Sequence, residues 1–435
     1  MSKVTTTRPP EKRALGSMVV VDPESLPFGT KPDFAFHYID ISAATNGRLS
    51  IPDAPIEYRD APSRARRVIK TGDVLMSTVR PNLKAFAYCD LPAGNYIAST
   101  GFAVLRALGE TDSRYVLYAI LSDDVSQQIN SHTVGSNYPA INSSDVRRLK
   151  IPAFTPAEQR RIAEILSTLD EAIEQTEALI AKVQQIKAGL MHDLFTRGVT
   201  PDGRLRPTRV QAPELYKESP IGWIPKEWGV KPLDHHVRIV DCKHYTPEFQ
   251  GEGYPFIRPR NVKVDGLEID GVDYVSKEDF LSLTDVHRPR RGDIVFSRNA
   301  SFGVPCYIDT DVQFAIGQDV VIMIEKGSET RFVFYALTTS TTSAQLAKVS
   351  AGSTFERINL KEIRKLLIHE PDIREQRRIS TCLVACESQS QGLKSEVAKL
   401  RQQKAGLMHD LLTGHVRVGQ SDTFLSKLSV GAQGG

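Results

Sequence analysis

The sequence predicts an α+β fold in which two similar mixed α/β domains accompany two long helices that pair with each other. Two repeated motifs carry this prediction. The octet KAGLMHDL spans Lys187 to Leu194 and again Lys404 to Leu411, and EQRRI spans Glu158 to Ile162 and again Glu375 to Ile379. The two intervals are equal, since 404 minus 187 and 375 minus 158 are both 217. A repeat that has kept its length indicates a segment in which insertions are not tolerated.

A stripe of apolar residues runs through each copy at steps of three and four, the spacing of one buried face on an α-helix. The stripes include Ile162, Leu166, Leu169, Ile173, Ile180, Val183 and Leu190 in the first copy, and Ile379, Leu383, Val397, Leu400 and Leu407 in the second. Each copy is expected to form a helix of roughly 40 residues, about 60 Å long at ~1.5 Å per residue. Such a helix needs a partner, and the other copy is the natural one. Two unrelated amphipathic helices would explain the stripes but not the equal interval.

The globular parts repeat as well. GSNYPAINSSDVRRLKIP (135–152) aligns with GSTFERINLKEIRKLLI (352–368), and RVIKTGDVLMSTVRPN (67–82) aligns with RPRRGDIVFSRNASFG (288–303). GDVLMSTV, GDIVFSR, FAVLRA and DVVIMIE predict strands, whereas SRYVLYAILSDDVSQQI and TRFVFYALTTSTTSAQLAKV predict helices. The predicted organisation is a first domain at 1–152, a helix at 153–199, a linker at 200–217, a second domain at 218–369, a helix at 370–416 and a tail at 417–435.

The composition is that of a soluble globular protein rather than a membrane or secreted one. The chain has 435 residues, of which 40% are hydrophobic and 25% charged, as in ordinary soluble proteins. No apolar run reaches the ~18 residues of a membrane span, and the first residues lack a signal core, so a cytoplasmic location is expected. The five cysteines show no paired metal spacing, and a net charge of +3 neither demands nor excludes a nucleic-acid partner.

Motifs for catalysis are missing from the sequence. It has no Gly-Lys dipeptide, which excludes a Walker A loop, and it lacks the signatures of an amino-methyltransferase and the Gly-x-Ser-x-Gly elbow. His369-Glu370 has no second histidine at zincin spacing. His192 and His409 occupy equivalent positions in the octet, and a structural or partner-contact role is expected for them rather than a metal site.

The repeated helices carry a family resemblance. With IPAFTPAEQRRI opening the first helix, EPDIREQRRI opening the second and KAGLMHDL closing both, the chain resembles the specificity subunits of type I restriction-modification systems. ESPIGWIPKEWGVKPL (218–233) is similar to the segment that opens a target-recognition domain in that family. The first half has no clear counterpart of this segment.

The resemblance implies a noncatalytic reader of double-stranded DNA. Two target-recognition domains would each bind one half of an interrupted asymmetric site, and the helices would pair as an antiparallel coiled coil with a pseudo-two-fold internal repeat. Two modification subunits would methylate adenine with S-adenosylmethionine, and restriction subunits would dock on the methylase. This chain would hold no cofactor, since S-adenosylmethionine, ATP and Mg belong to the partners.

The resemblance also suggests which residues contact DNA. The candidates follow predicted strands or lie in the Gly-Ser loops: Arg80, Lys84, Ser136, Asn137 and Tyr138 in the first half, and Lys243, His244, Arg258, Arg260, Arg298, Asn299, Ser353, Thr354 and Arg357 in the second. Arginine pairs with guanine and asparagine with adenine in the major groove. For each candidate a phosphate contact or a turn-stabilising role is at least as well supported, because most protein–DNA hydrogen bonds go to the backbone.

Two other functions fit the pattern less well. A scaffold could use the paired helices for assembly without binding DNA. A transcriptional regulator would normally apply one reader twice to a palindrome, whereas this chain has two diverged halves.

Overall fold

The computed structural model describes residues 9–132, 139–299, 303–351 and 357–418. These residues form two compact units, one within Met1–Ala178 and Lys394–Gly435 and the other within Leu179–Leu393. Each unit contains one globular domain, the beginning of one long helix and the end of the other. Across the described ranges, no helix combines the length and apolarity needed to cross a membrane.

The described residues of the first domain form short strands and three α-helices. Its described strands are β1 Lys12–Ala14, β2 Val19–Val21, β3 Ala35–Ile39, β4 Ala44–Thr45, β5 Arg48–Leu49, β6 Ile56–Glu57, β7 Ala65–Val68, β8 Val74–Ser77, β9 Phe86–Tyr88, β10 Tyr96–Ser99, β11 Phe102–Ala107 and β12 Lys150–Pro152. The helices are α1 Ser113–Leu121, α2 Asp123–His132 and α3 Ser143–Arg148, and the long helix α4 Pro156–Thr196 follows.

The second domain repeats this plan. Its described strands are β13 Tyr216–Ser219, β14 Gly222–Pro225, β15 Gly229–Pro232, β16 Val237–Asp241, β17 Tyr254–Ile257, β18 Val262–Lys263, β19 Gly266–Leu267, β20 Asp273–Val275, β21 Ile294–Ser297, β22 Pro305–Tyr307, β23 Ala315–Ile316, β24 Val320–Glu325 and β25 Leu367–Glu370. The helices are α5 Leu233–His236, α6 Lys277–Leu283, α7 Thr330–Leu337, α8 Ser340–Ala351 and α9 Leu360–Lys365, and the second long helix is α10 Ile373–Thr413.

Sheet topology confirms that the two domains share one fold. The order β2-β11-β8-β9 in the first domain matches β16-β24-β21-β22 in the second, and β6-β3-β10 matches β20-β17-β23. The predicted strands in GDVLMSTV, FAVLRA, GDIVFSR and DVVIMIE are β8, β11, β21 and β24, and they are almost wholly buried. Apolar runs of this kind bury both faces of a strand, here between the second sheet and the helices.

The long helices have the predicted length, and each contains 41 residues. Lys404, late in α10, places its Nζ 2.6 Å from Asp170, early in α4, within the first unit. In the second unit, Lys187, late in α4, places its Nζ 2.7 Å from Glu387, early in α10. Because the early part of one helix meets the late part of the other in both units, the helices pair antiparallel.

A repeated triad ties each helix pair to its own domain. The triads are Lys404, Asp170 and Tyr118 in the first unit, and Lys187, Glu387 and Tyr335 in the second. Each tyrosine hydroxyl donates a hydrogen bond to the carboxylate, at 2.8 Å and 2.7 Å. The lysine in each triad is the first residue of the repeated octet. An insertion between the motifs would separate the lysine from its partners, which explains the constant interval.

The segment between the domains is packed against the second domain. Gly198, at φ +67°, has no room for a Cβ, because that atom would lie 2.5 Å or less from Glu375, Arg206 and Trp228. The Glu375 carboxylate accepts hydrogen bonds from the Val199 backbone N–H at 2.8 Å, from the Trp228 indole at 3.1 Å and from the Arg206 guanidinium. Val199 and Arg206 are therefore buried in the second unit, whereas residues 201–204 between them are exposed.

Candidate functional site

Several strand ends converge at one end of the second domain. Asp241, the last residue of β16, pairs with Val321, and Ser297, the last residue of β21, pairs with Val320. Residues that follow β16 and β21 therefore flank the start of β24. Polar side chains that follow these strands share one small area, although they are far apart in the sequence.

The turn between β23 and β24 joins this area to the second sheet. The Gly317 backbone N–H donates to the Ile257 carbonyl at 2.8 Å, and the Arg298 backbone N–H donates to the Asp319 carbonyl at 2.7 Å. Arg258, which follows β17, is thereby brought to the same end of the domain as Arg298. We call residues 241–244, 258–260, 298–299, 319 and 357 the second strand-end surface.

Arg298 is the buried member of this surface. Its side chain is only 5% exposed, its Nη1 lies 2.9 Å from Asp241, and its Nε donates to the Ile358 carbonyl at 3.0 Å. These bonds hold two of the three guanidinium nitrogens inside the protein. The geometry favours a positioning role for Arg298 over the direct base contact expected from its residue type.

Arg357, like Arg260, is an accessible arginine of the surface. Its side chain is 44% exposed, and its Nε lies 2.7 Å from the Asp319 carboxylate. Asn299 donates from Nδ2 to the same carboxylate at 3.3 Å and forms a β-bridge with Arg357. Asp319 adopts a left-handed backbone at φ +66°. An arginine and an asparagine side chain are thus oriented side by side by one carboxylate.

The other predicted cations are also paired with carboxylates. Lys243 lies 2.5 Å from Asp285, and Arg258 and Arg260 share Asp273 at 3.0 Å and 3.5 Å. The Arg258 guanidinium also stacks on Phe249, 4.6 Å from the ring centroid, and His244 lies 3.8 Å from Asp241. These pairs hold long side chains in fixed positions, and a phosphate could replace each carboxylate.

Matching backbone bonds locate the equivalent surface in the first domain. The Thr78 N–H donates to the Gly101 carbonyl at 2.8 Å, and the Thr78 carbonyl accepts from Ile141 at 3.0 Å. Arg298 makes the same two backbone bonds, with Asp319 and Ile358, at 2.7 Å and 2.9 Å. A Val79–Ala140 bridge likewise replaces the Asn299–Arg357 bridge.

Equivalent positions on the two surfaces differ in chemistry. Four positions of the second surface carry polar or charged side chains, whereas the first surface has smaller or less polar residues there. Thr78 stands in place of Arg298 and Val79 in place of Asn299. Gly101 stands in place of Asp319 and Ala140 in place of Arg357. Asp40 follows β3 where Arg258 follows β17, because Ile39 pairs with Ala98 as Ile257 pairs with Ile316. The fold is repeated, but the contact chemistry at this end of the domain is not.

We call residues 40, 78–79, 101 and 140 the first strand-end surface. Arg80 and Lys84 bound a turn beside it. Both have left-handed backbones, at φ +48° and +50°, and a short 3-10 turn at Pro81–Leu83 lies between them. Arg80 is exposed, and its N–H donates to the Pro139 carbonyl at 2.7 Å. Lys84 instead donates from Nζ to the Leu121 carbonyl at 2.9 Å, so it caps the end of α1. Leu83, between them, is 65% exposed.

Five of the predicted contact residues lie outside the described residues. They are Ser136, Asn137, Tyr138, Ser353 and Thr354. Conversely, no sequence pattern pointed to Asp241, Asp319 or Leu83, because acidic residues and an exposed leucine are not typical of a DNA contact. Only the converging strand ends and the turn geometry single them out.

Burial favours the neutral forms of two cysteines and two histidines in the domains. Burial raises the pKa of the Cys306 thiol to about 12 and also raises the pKa of Cys89. Burial lowers the pKa of His236 and of His369 to about 4. A thiol of this kind is a poor nucleophile near neutral pH, since the thiolate is the reactive form.

The second unit is expected to lose stability as the pH falls from about 6.5 to 4. The unfolded chain protonates both histidines near pH ~6.5, whereas the folded domain resists protonation until about pH 4, so folding releases protons in this window. At pH 5 the loss is on the order of 2 kcal/mol for each histidine. Urea denaturation followed by tryptophan fluorescence measures it, because Trp223 and Trp228 both lie in this unit.

Replacement of His369 by Phe tests whether the buried histidines cause this pH dependence of stability. The ring packs against Trp228 and Phe195, with centroids 5.6 Å and 5.9 Å away, and phenylalanine keeps this packing without a titratable group. His369→Phe should flatten the pH dependence, and the same change at the exposed His192 should not. An unchanged slope in His369→Phe would contradict the assignment.

Comparison with known proteins identifies the family. The profile described as Type I restriction modification DNA specificity domain matches residues 37–185 and 225–399. The chain therefore belongs to the family of type I restriction-modification specificity proteins, in agreement with the resemblance carried by its repeated helices.

Relatives and solved structures agree with this placement. The chain is 26% identical over 315 residues to the type I restriction enzyme MjaVIII specificity subunit of Methanocaldococcus jannaschii, covering 71% of each protein. It is 27% identical over 289 residues to the putative MjaX specificity subunit of the same organism, covering 65% of this chain and 63% of the relative.

Two solved structures share the fold. A chain from a structure of a type I R-M system, concerned with complex assembly and conformational transition, has a TM-score of 0.56 at 24% identity, covering 96% of this chain and 100% of that one. The type I restriction-modification S subunit from M. genitalium has a TM-score of 0.59 at 16% identity, with coverage of 94% and 98%.

Proposed function

We propose that this chain is the DNA-reading subunit of a type I restriction-modification complex and that it recognises a bipartite, asymmetric target. The observation that carries the proposal is the pair of strand-end surfaces, which have the same backbone arrangement and different side chains. One reader used twice would suit a palindrome, whereas two diverged readers suit two different half-sites. The two domains therefore read separate sequences, one half-site each.

Direct readout in the second half-site centres on Arg357 and Asn299. Their side chains are aligned by Asp319, and the two residue types match guanine and adenine edges in the major groove. Lys243, His244, Arg258 and Arg260 surround them as candidates for phosphate contacts, which fix the register of a protein on DNA. Arg298 is buried beneath this surface and holds Asp241 in position through their ion pair.

In the first half-site the exposed turn supplies a different set of contacts. Arg80 is a candidate for base or phosphate binding, and Leu83 offers an apolar contact of the kind made with the thymine methyl group. Lys84 supports the turn through its bond to the end of α1.

The paired helices act as the spacer between the two readers. Their equal length and the repeated lysine-carboxylate-tyrosine triads fix how each helix pair attaches to its domain. A fixed spacer sets the number of unread base pairs between the half-sites.

The repeated octet is the candidate contact for two copies of one partner. Its two copies show the same order of exposed, half-buried and buried residues, with Ala188, Gly189 and His192 exposed in one and Ala405, Gly406 and His409 in the other. Identical surfaces suit two identical modification subunits. Restriction subunits dock on the methylase, and S-adenosylmethionine, ATP and Mg belong to these partners, so this chain is noncatalytic.

A salt titration tests the DNA-reading function. Fluorescence anisotropy of the full chain with labelled duplex DNA should give an affinity that falls log-linearly with salt, because cations on the protein release counterions from phosphates. A protein that serves only as an assembly scaffold would show no such binding, and this result would overturn the proposal.

Replacement of Arg357 by Ala is expected to weaken binding to the second half-site and to spare the first. A lost bidentate base contact costs about 1–3 kcal/mol and relaxes specificity at one position. Competition with duplexes mutated one base pair at a time measures the effect. A loss that is uniform across all sequences would identify a phosphate contact instead.

Arg291→Ala is the matched control for this experiment. Arg291 is also an exposed arginine paired with a carboxylate, Asp311 at 3.0 Å, but it precedes β21 and so lies at the opposite end of that strand. Its replacement should leave both half-sites unchanged. If Arg291→Ala and Arg357→Ala had equal effects, the strand-end surface would not be the reading surface.

A further inference from the structure

The end of the second long helix carries three potential metal ligands in one place. His409 and Asp410 lie in the last turns of α10, and His415 follows the helix. One ligand atom from each residue lies within 4.8 Å of those of the other two, and the imidazole centroids of His409 and His415 are 5.5 Å apart. Among the ion pairs of the described residues, none involves the Asp410 carboxylate.

Backbone geometry brings His415 back onto the helix. Gly414 has φ +74°, a left-handed conformation that ends α10 and reverses the chain. The Val416 N–H then donates to the Asp410 carbonyl at 3.2 Å, which holds the returning segment against the last turn. The three side chains therefore converge because of a defined C-terminal turn, not because of a chance encounter of long side chains.

The first copy of the repeat lacks this arrangement. His192 and Asp193 are the counterparts of His409 and Asp410, but Gly198 stands at the position of His415. Asp193 is paired with Arg197 at 3.2 Å. A function shared by both octets cannot account for the three-residue cluster, because only the second copy has it.

We propose that His409, Asp410 and His415 bind a divalent transition-metal ion of the zinc class. Two imidazoles and one carboxylate are ligands that zinc accepts, and three protein ligands leave a coordination position for water. Zinc with bonds of ~2.0–2.1 Å places its ligand atoms about 3.3 Å apart, so the two exposed imidazoles and the half-buried carboxylate need to move by only about 1 Å to close the site. The bound ion cross-links the last turn of α10 to the segment that follows it.

Calorimetric titration of the EDTA-treated full chain with zinc chloride tests the site. One zinc ion per chain should bind, and binding should be lost in His415→Gly, which installs the residue of the first repeat, and in Asp410→Asn. His192→Ala should bind zinc as the unmodified chain does. No saturable binding, binding retained in His415→Gly, or binding lost in His192→Ala would each overturn the proposal. The titration contains no DNA, so its outcome is independent of the DNA-reading function.

Discussion

Insertion of four residues into both long helices at opposed positions is expected to lengthen the spacer of the DNA target by one or two base pairs. The insertions follow Ala181 in α4 and Gly392 in α10, which the antiparallel pairing of Lys187 with Glu387 and of Lys404 with Asp170 makes opposite. Four residues add about 6 Å at ~1.5 Å per residue and nearly complete one turn, so the buried stripes are preserved. At ~3.4 Å per base pair, this length corresponds to one or two base pairs.

The half-sites themselves should not change in this variant, because no residue of either strand-end surface has moved within its domain. Mapping of methylated adenines in cells that express the variant with its modification subunit is the measurement. A two-residue insertion in α4 alone is the control: it turns the apolar stripe by about 200° and should abolish methylation. Full activity with an unchanged spacer after the paired insertion would show that these helices do not set the spacing.

Replacement of Glu375 by Ala is expected to destabilise the second unit by about 3–5 kcal/mol, because it removes one partner of a buried ion pair. The Glu375 side chain is 2% exposed, and that of Arg206 is 10% exposed. Without the carboxylate, the Arg206 charge, the Trp228 indole and the Val199 N–H would lose their buried acceptor. Urea denaturation followed by the fluorescence of Trp223 and Trp228 reports the change.

The repeat supplies the matched control, Glu158→Ala. Glu158 is the equivalent residue of the first EQRRI motif, but it serves as a helix cap, accepting from the Thr155 N–H at 2.9 Å and hydroxyl at 2.8 Å. Its loss should cost only about 1 kcal/mol, with no change in the fluorescence transition of the second unit. A double variant, Arg206→Met with Glu375→Met, should recover much of the lost stability, since apolar residues can replace a buried ion pair. Equal costs for the two single variants would contradict the assignment of a buried network to Glu375.

The long helices were predictable from the sequence because their determinants are local and periodic. The apolar stripe from Ile162 to Leu190 predicts the first long helix and its buried face. The constant interval of 217 residues predicts that its partner is the second copy of the repeat. Strands β8 and β24 were predictable for a similar reason, since short apolar runs after turn residues are typical of buried strands. These features do not depend on contacts between distant parts of the chain.

The candidate contact residues were only partly predictable, because accessibility depends on distant partners. Arg298 and Arg357 are the same residue type, yet their exposure differs. Arg298 pairs with Asp241 and is buried, whereas Arg357 pairs with Asp319 and stays exposed. The Lys84 ammonium group donates a hydrogen bond to the Leu121 carbonyl of α1, 37 positions further along the chain. The buried ion pair of Arg206 with Glu375 was not predictable for the same reason, since only the folded domain places these two residues, 169 positions apart, side by side.

Methylation mapping of a genome in cells that express the unmodified chain with its modification subunit tests the central claim most directly. Two readers with different surfaces on one spacer predict methylated adenines in a single motif with two unlike half-sites, separated by a constant number of unread base pairs. A palindromic motif, an uninterrupted motif or a variable gap between the half-sites would contradict the account.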